Sequence, residues 1–204
     1  MNRSPLITAR AGFAVGLLAL LTACAAPERA DPRGGPATTD PAGRPSAMAH
    51  LARTSGEVVG HAELRETAGG LEVSISVQGL SPGLHGFHVH THGVCAPGPD
   101  AATGQTVAFG AAGGHFDPGQ SQRHGQPGAP AHQNHAGELP NINVGADGRG
   151  SLRYLNPNLS LSRAPNSVLG RALVVHERPD DYTSNPAGNS GPRQLCGVIE
   201  AART

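Results

Sequence analysis

Three runs in the first half of the chain alternate apolar and polar side chains, at residues 47–53, 57–66 and 71–80. Alternation with a period of two is typical of a β-strand that turns one face to a core and the other to solvent. The tripeptide Ala68-Gly69-Gly70, between the second and third runs, is typical of a hairpin turn. Further strands are predicted at residues 85–92, 141–144, 150–155, 171–177 and 197–201.

Two long segments, residues 93–140 and 177–195, carry little strand pattern and are rich in glycine and proline. Loops of this length inside a compact domain are usually functional. About eight short strands with hairpins and two long functional loops predict an all-β fold. The expected architecture is an antiparallel Greek-key sandwich or barrel, immunoglobulin-like in its class.

Composition and charge exclude one class of function. The chain has 204 residues, which suggests one domain with additional segments. It contains 15 basic and 15 acidic residues, and every basic residue is arginine, so the formal net charge is zero. A nucleic-acid-binding protein normally carries a basic surplus, so we expect no nucleic-acid partner.

The N-terminus has the pattern of an export signal. Residues 1–23 contain two arginines and then a short apolar run, which is typical of a signal peptide and too short for a membrane span. The end of this segment, Leu21-Thr22-Ala23-Cys24, resembles the bacterial lipobox, in which the cysteine receives a lipid. A plain signal peptide with an incidental cysteine is the alternative. We expect export to the cell envelope or periplasm, with membrane contact only through a lipid on Cys24.

Residues 24–46 follow as a proline- and glycine-rich segment, predicted to be a disordered linker after the lipidated cysteine. The folded domain is predicted to cover residues 47–204. Its two cysteines, Cys95 and Cys196, favour a disulfide in an exported protein. Two buried free thiols are the alternative.

Eleven histidines are present, and four of them lie between His85 and His92. In the stretch GFHVH, His88 and His90 stand two residues apart on a predicted strand, so they point from one face with Cα atoms about 7 Å apart. Four other sequence contexts carry single histidines: GGHFDP with His115, RHG with His124, NHAGELPN with His135 and ALVVHE with His176. Copper and zinc both favour imidazole ligands, so together these contexts indicate a metal site.

These motifs carry a family resemblance. The motifs GFHVH, GGHFDP, HAG-acid-LPN and GRALVVHE and the ending GNSGPRQLCGVI occur in the order found in the copper/zinc superoxide dismutase family. The chain resembles that family over roughly residues 47–201, and the export signal resembles its bacterial lipoprotein-type members. The resemblance implies copper and zinc as cofactors and superoxide as the substrate.

The resemblance also implies a role for each site residue. The implied copper ligands are His88, His90, His115 and His176, and the implied zinc ligands are His115, His124, His135 and Glu138. Asp180 would accept hydrogen bonds from one histidine of each metal, Arg193 would attract the anionic substrate, and Cys95 would pair with Cys196.

One position departs from the family pattern, because Glu138 stands where the family has aspartate. The extra methylene predicts weaker zinc binding than an aspartate would give, and His132 is a substitute ligand to consider, although a solvated loop position is the expected one. His85 resembles a family histidine with a structural hydrogen-bonding role. His50, His61 and His92 are expected to be exposed and to bind no metal.

The implied reaction converts superoxide to O2 and hydrogen peroxide while copper alternates between Cu(II) and Cu(I), with His115 releasing copper, taking up a proton and donating it to peroxide. Two alternatives remain from the sequence: a copper-only dismutase with a degraded zinc site, and a non-catalytic envelope protein that binds copper or zinc. A metal store would not need Arg193, Asp180 or a shared His115. A homodimer is also left open.

Overall fold

The computed structural model of the chain describes Thr39, residues 43–100 and residues 103–202. The predicted signal peptide, Cys24 and most of the predicted linker lie outside the described residues. Within the described part of the chain, no helix has the length and apolar character needed to cross a membrane.

The fold is built almost entirely of strands. They are β1 (Ser46–Ala52), β2 (Val58–Thr67), β3 (Gly70–Val77), β4 (Gly83–His90), β5 (Gly98–Pro99), β6 (Thr106–Val107), β7 (Glu138–Val144), β8 (Gly150–Asn156), β9 (Ala172–His176), β10 (Arg193–Val198) and β11 (Glu200–Ala201). One 3-10 turn, Gly110–Ala112, lies in the first long loop. The all-β prediction is confirmed, and the predicted strands overlap the long ones.

The strand boundaries differ most where loops cover the sheet. β7 begins at Glu138 and β10 at Arg193, three and four residues before the predicted starts. Both segments are half-buried or buried on the two faces of the sheet, because the long loops pack over the outer face. Alternation of polar and apolar side chains therefore fails as a signal there. The hairpin of β5 and β6 inside the first loop was not predicted, because strands of two residues are too short to show alternation.

The strands form a closed antiparallel barrel. Their order is β10-β9-β4-β7-β8-β3-β2-β1-β11, and β10 also pairs with β1, at Ala52 and Cys196, which closes the barrel. The first three strands form a meander, whereas β3 pairs with β8 and β4 with β7, which is a Greek-key arrangement. Among the strands of the described residues, closure leaves no long edge open to another chain.

Apolar side chains fill the barrel. The largest fully buried ones include Leu51, Leu64, Phe87, Leu139 and Leu173, and all five belong to one contiguous core. A second, smaller apolar cluster, formed by Phe109, Ala112, Ala172, Val174 and Cys196, lies outside the barrel. It packs the first long loop onto β9 and β10. The outer face of these strands is therefore dry, although it is not part of the barrel core.

A disulfide fastens the first long loop to the barrel. Cys95, five residues after the end of β4, is bonded to Cys196 in β10, with Cα atoms 5.6 Å apart. Cys196 is also the residue of β10 that pairs with Ala52 to close the barrel. The bond thus ties the loop to the closing pair of strands.

A third loop, residues 157–171, connects β8 to β9 and is anchored by the carboxylate of Glu66 at the end of β2. Glu66 accepts hydrogen bonds from Ser160 Oγ at 2.8 Å and from the backbone N–H groups of Leu161 and Ser162 at 2.9 and 3.1 Å. Arg163 Nε also donates to it, at 3.2 Å. Partial burial would raise the pKa of Glu66, but these hydrogen bonds outweigh that effect and lower it below 4.5.

We expect Cys95 and Cys196 to be oxidised in the exported protein. The closed loop has a sequence separation of 101 residues, and closing a loop on the order of 100 residues is worth about 4.7 kcal/mol in the chain-entropy model. Thiol titration of the denatured, unreduced protein should give the same count as a variant in which both residues are serine. Two additional reactive thiols in the wild type would show that the bond is absent.

We expect the contribution of Glu66 to stability to depend on pH. Because its pKa is lower in the folded state than in the unfolded state, the stabilisation is present above the unfolded value and is lost as pH falls through the folded value. Glu66→Gln should lower the free energy of unfolding by about 2 kcal/mol at pH 7, since hydrogen bonds to a charged group are weakened. The difference from wild type should shrink below pH 4 in denaturant titrations. Glu63→Gln, at an exposed ion pair with Arg65, is the control and should change little. If Glu66→Gln lowered the free energy of unfolding equally at pH 7 and below pH 4, the anchoring role of the charge would be contradicted.

Candidate metal centre

β4 provides two histidines on the outer face of the barrel. Phe87 and Val89 point into the core, so the alternating residues His88 and His90 point the other way. Both histidines are nevertheless fully buried, because the long loops cover this face. The strand is thus buried on both sides, with an apolar face inward and an imidazole face outward.

Neighbouring strands and the first loop add the other side chains. His176 is the last residue of β9, which pairs with β4. Glu138 is the first residue of β7 and lies directly opposite His88. His115 forms an isolated bridge with His90, which brings the first loop against the end of β4. Strand pairing therefore collects residues that are up to 88 positions apart in the sequence.

Among the described residues, three groups of potential metal ligands have their ligand atoms within 4.8 Å of one another: two groups of four, and a group of three, His88, Glu138 and Asp180, that overlaps with each of them. The four-histidine cluster consists of His88, His90, His115 and His176, and the carboxylate cluster consists of His115, His124, His135 and Glu138. Each group is buried, and His115 belongs to both groups of four.

Hydrogen bonds set which ring nitrogen faces the four-histidine cluster. His90 Nδ1 donates to the carbonyl of Gly113 at 2.9 Å, and His176 Nδ1 donates to the carbonyl of Gly191 at 3.0 Å. Because a carbonyl can only accept, the proton of each neutral ring is on Nδ1 and the lone pair is on Nε2. These two Nε2 atoms are 3.4 Å apart, so both lone pairs face the same space.

The other two histidines of this cluster carry the strongest sign of a ligand. His88 Nδ1 and His115 Nε2 are buried and have no hydrogen-bond partner. A buried polar atom without a partner costs about 1–3 kcal/mol, so such atoms call for a ligand. A copper ion with imidazole ligands would satisfy both atoms, and the donor set fits it.

The carboxylate cluster fits zinc. The Nδ1 atoms of His115, His124 and His135 lie 3.1, 2.9 and 2.8 Å from Glu138 Oε1. Zinc binds nitrogen and oxygen at 2.0–2.2 Å, and the ligands of a tetrahedral site are then about 3.4 Å apart. The observed separations are slightly shorter, so three nitrogens and one carboxylate converge as such a site requires.

Burial and charge shift the pKa values of the shared groups in opposite directions. Burial, together with the neighbouring His88, lowers the pKa of His115 to about 4. Burial also acts to lower the pKa of His124, but hydrogen bonds to Asp180 and Glu138 raise it to about 9. For Glu138, burial is outweighed by contacts with His115 and the other two histidines, which hold the pKa of the carboxyl well below 4.5. Glu138 is therefore ionised, as a zinc ligand must be.

Asp180 joins the two clusters from behind. Its Oδ2 accepts from His88 Nε2 and its Oδ1 from His124 Nε2, each at 2.7 Å. Burial opposes ionisation, but these two contacts lower the pKa of Asp180 to about 2. Its backbone is held by the side chain of Asn141 through two hydrogen bonds, at 2.8 and 2.9 Å. Gly188 passes so close that a Cβ atom there would clash with Asp180 Oδ1, which explains the glycine.

A cleft of about 460 Å³ leads to the four-histidine cluster. His90, His115, His176 and Arg193 contribute to its lining, together with residues of the second long loop. The Arg193 guanidinium donates to the carbonyls of Phe109 and Gly113 at 2.7 and 2.9 Å. A fixed positive charge thus lies beside the imidazoles at the end of the cleft.

The remaining histidines have the predicted positions. His85 is buried, and its Nδ1 donates to the carbonyl of His176 at 2.7 Å, so its hydrogen-bonding role is confirmed. His50, His61, His92 and His132 are exposed and belong to neither cluster. Sequence reasoning missed Asn141 and the carbonyls of Gly113 and Gly191. Asn141 stands in the motif LPN, Gly113 in GGHFDP and Gly191 in GNSGPRQLCGVI. Their positions in these motifs were the signal that could have found them.

Barrel and clusters together define a class: an all-β protein with two buried clusters of potential metal ligands that share one imidazole. The model of the copper/zinc superoxide dismutase family matches residues 58–199 of the chain. The chain belongs to this family, whose metals are copper and zinc.

The relatives agree with this assignment. A protein named superoxide dismutase [Cu-Zn] from Deinococcus radiodurans is 50% identical over 159 residues, which is 78% of this chain and 86% of that protein. Superoxide dismutase [Cu-Zn] 2 from Aquifex aeolicus is 41% identical over 160 residues, covering 75% and 85%. The solved structure of the Cu/Zn superoxide dismutase from Brucella abortus matches with a TM-score of 0.66 at 36% identity, covering 76% of this chain and 99% of that one.

The geometry changes one expectation from the sequence. From its position in β7, the Glu138 side chain places Oε1 in contact with the Nδ1 atoms of all three histidines. The extra methylene of glutamate, compared with aspartate, is therefore already accommodated. We therefore expect Glu138→Asp to bind zinc more weakly than wild type, because its carboxylate would fall short. Glu138→Ala should weaken zinc binding by about 100-fold or more, since loss of outer partners alone costs 10- to 100-fold.

A competitive titration against a chelator measures both variants, with copper loading followed in parallel. Glu200→Ala, an exposed position, is the control. If Glu138→Ala retains wild-type zinc affinity, Glu138 is not a ligand. Wild-type protein without zinc at equimolar metal would instead support a copper-only centre.

Proposed function

We propose that this chain is a superoxide dismutase that converts two superoxide ions and two protons to O2 and hydrogen peroxide at the described centre. The proposed copper ligands are the four-histidine cluster, and the proposed zinc ligands are the carboxylate cluster. The observation that carries this assignment is His115, whose Nε2 is free within one cluster while its Nδ1 belongs to the other. Two ions held by one imidazole require this orientation.

Copper, when bound, would supply one-electron oxidation and reduction, and zinc would supply a fixed charge on the far side of His115. The residues of the chain provide the rest. His115 lines the cleft, so its Nε2 can hold a proton and pass it to the product when that atom is not a ligand. Its Nδ1 stays directed at Glu138, which keeps the ring in place while the proton moves.

The outer hydrogen bonds position the ligands. The carbonyls of Gly113 and Gly191 hold the rings of His90 and His176, and Asp180 holds those of His88 and His124. Such partners fix the tautomer and orientation of metal-binding histidines. The chain thus presents preformed lone pairs, and each ring needs little rearrangement to act as a ligand.

Arg193 has the geometry of a substrate-attracting residue. Only 8% of its side chain is exposed, and both of its terminal nitrogens are fixed by backbone carbonyls. The carbonyl of Gly113 accepts from both Arg193 and His90, so the arginine is held in register with a copper ligand. A small anion entering the cleft would meet this charge beside the four-histidine cluster.

The alternatives have less support. A metal store gives no reason for a fixed arginine in the cleft, and a degraded zinc site gives no reason for three Nδ1 atoms to converge on Glu138. For location, the signal pattern and Cys24 support export and a lipid anchor in the cell envelope, and this remains a proposal from the sequence. A homodimer is likewise left open by the sequence.

Pulse radiolysis of protein loaded with copper and zinc tests the activity. We expect superoxide to decay with a rate proportional to protein concentration, and metal-free protein to be inactive. Arg193→Glu should lower the second-order rate by roughly tenfold or more without changing copper content, because attraction of the anion is lost. Arg153→Glu changes charge equally on the exposed barrel surface and is the control. Loaded wild type no faster than metal-free protein would refute the proposed activity, and an Arg193 variant with the wild-type rate would refute its role.

A further inference from the structure

Arg193 is not the only charged group in the cleft. Asp100, in the first long loop, places its Oδ2 3.9 Å from Arg193 Nη2, and 27% of its side chain is exposed. Both residues line the same cleft as His176 and His115. An acidic side chain therefore stands beside the charge that is proposed to attract superoxide.

The first loop holds Asp100 in this position. Its Oδ1 accepts hydrogen bonds from the backbone N–H and the hydroxyl of Thr103, both at 3.0 Å. Its backbone N–H donates to Gln105 at 2.8 Å, and the adjacent Pro99 pairs with Thr106 in the hairpin of β5 and β6. One carboxylate oxygen is thus bound within the loop, and the other faces Arg193.

Asp100 does not anchor the arginine. The distance of 3.9 Å is too long for a hydrogen bond, and backbone carbonyls already bind both terminal nitrogens of Arg193. The carboxylate therefore acts on the cleft through its electric field. The two residues respond to each other, since Asp100 partly offsets the lowering of the Arg193 pKa by burial.

The charge balance of the cleft follows from these two residues. Among its described lining residues, Arg193 is the only arginine and Asp100 the only carboxylate, and the chain contains no lysine. The approach to the four-histidine cluster is therefore lined by one positive and one negative side chain, which lie side by side.

We propose that Asp100 sets the charge selectivity of the cleft, by weakening the attraction of Arg193 for all anions and discriminating most strongly against dianions. Coulomb energy is proportional to the charge of the ligand, so the carboxylate repels a doubly charged oxyanion twice as strongly as a singly charged one. A small monoanion such as superoxide is admitted, and abundant dianions are kept from Arg193. This inference rests on the proposed function for the identity of the admitted monoanion.

The test compares two tetrahedral oxyanions that differ in charge, perchlorate and sulfate. Asp100→Asn keeps the shape of the side chain and an oxygen that can accept from Thr103. We expect it to raise perchlorate affinity by about fivefold and sulfate affinity by about the square of that, roughly 25-fold. Binding is followed by NMR through the Arg193 Nε–H resonance of the copper(I)- and zinc-loaded protein. The buffer is Hepes at one fixed ionic strength, because screening depends on salt.

Two variants serve as controls. Asp147→Asn removes the same charge from the turn between β7 and β8 and should leave both affinities unchanged. Asp100→Glu keeps the charge and should retain the low sulfate affinity of the wild type. Equal gains for the two anions, or the same gain in Asp147→Asn, would overturn the proposed selectivity.

Dismutation rates separate this inference from the function on which it rests. Asp100→Asn should react with superoxide severalfold faster than wild type at low salt, and its rate should fall more steeply as ionic strength rises. One outcome is that metal-loaded wild type shows no dismutation while Asp100→Asn still gains more sulfate affinity than perchlorate affinity. In that case the proposed function fails and the proposed charge selectivity of the cleft stands. If wild type is active and Asp100→Asn changes neither anion affinity nor rate, the role of Asp100 is refuted.

Discussion

The carboxylate of Asp180 is the interaction on which the two clusters depend. It binds Nε2 of His88 in one cluster and Nε2 of His124 in the other, and so leaves the Nδ1 atom of each ring directed inward. Imidazole has only two nitrogens, and a buried ring without fixed partners could adopt several orientations. Asp180 is itself held by Asn141 of β7. The ring orientations of His88 and His124 are therefore fixed relative to the barrel. The second long loop is thus part of the centre and is joined to β7 through Asn141.

The sequence was sufficient for the all-β class and for the residues that meet at the centre. His88 and His90 follow from strand periodicity alone, because a period of two places them on one face. The contribution of His115, His124 and His135 could only be inferred from motif resemblance, since periodicity says nothing about where a long loop returns. The structure brings these residues to the four-histidine and carboxylate clusters, whereas their roles as ligands are proposals.

Other features depend on contacts between distant segments and could not be read from local pattern. The starts of β7 and β10 were missed because the loops cover the outer face and remove the alternation. The position of Asp100 beside Arg193 requires a disulfide-fastened loop to fold back across β10. The anchoring of residues 157–171 by Glu66 joins side chains almost 100 positions apart. In each case the deciding contact joins segments that are far apart in the sequence.

The closing pair of the barrel has a consequence for how the protein matures. Ala52 of β1 pairs with Cys196 of β10, so the barrel is complete only when nearly the whole domain has been assembled. The potential ligand atoms come from β4, the first loop, β7 and β9, and they converge in the closed barrel. An ion that binds the folded chain and not the unfolded one shifts the folding equilibrium by mass action. The stability of the folded protein is therefore coupled to the metal supply of its surroundings.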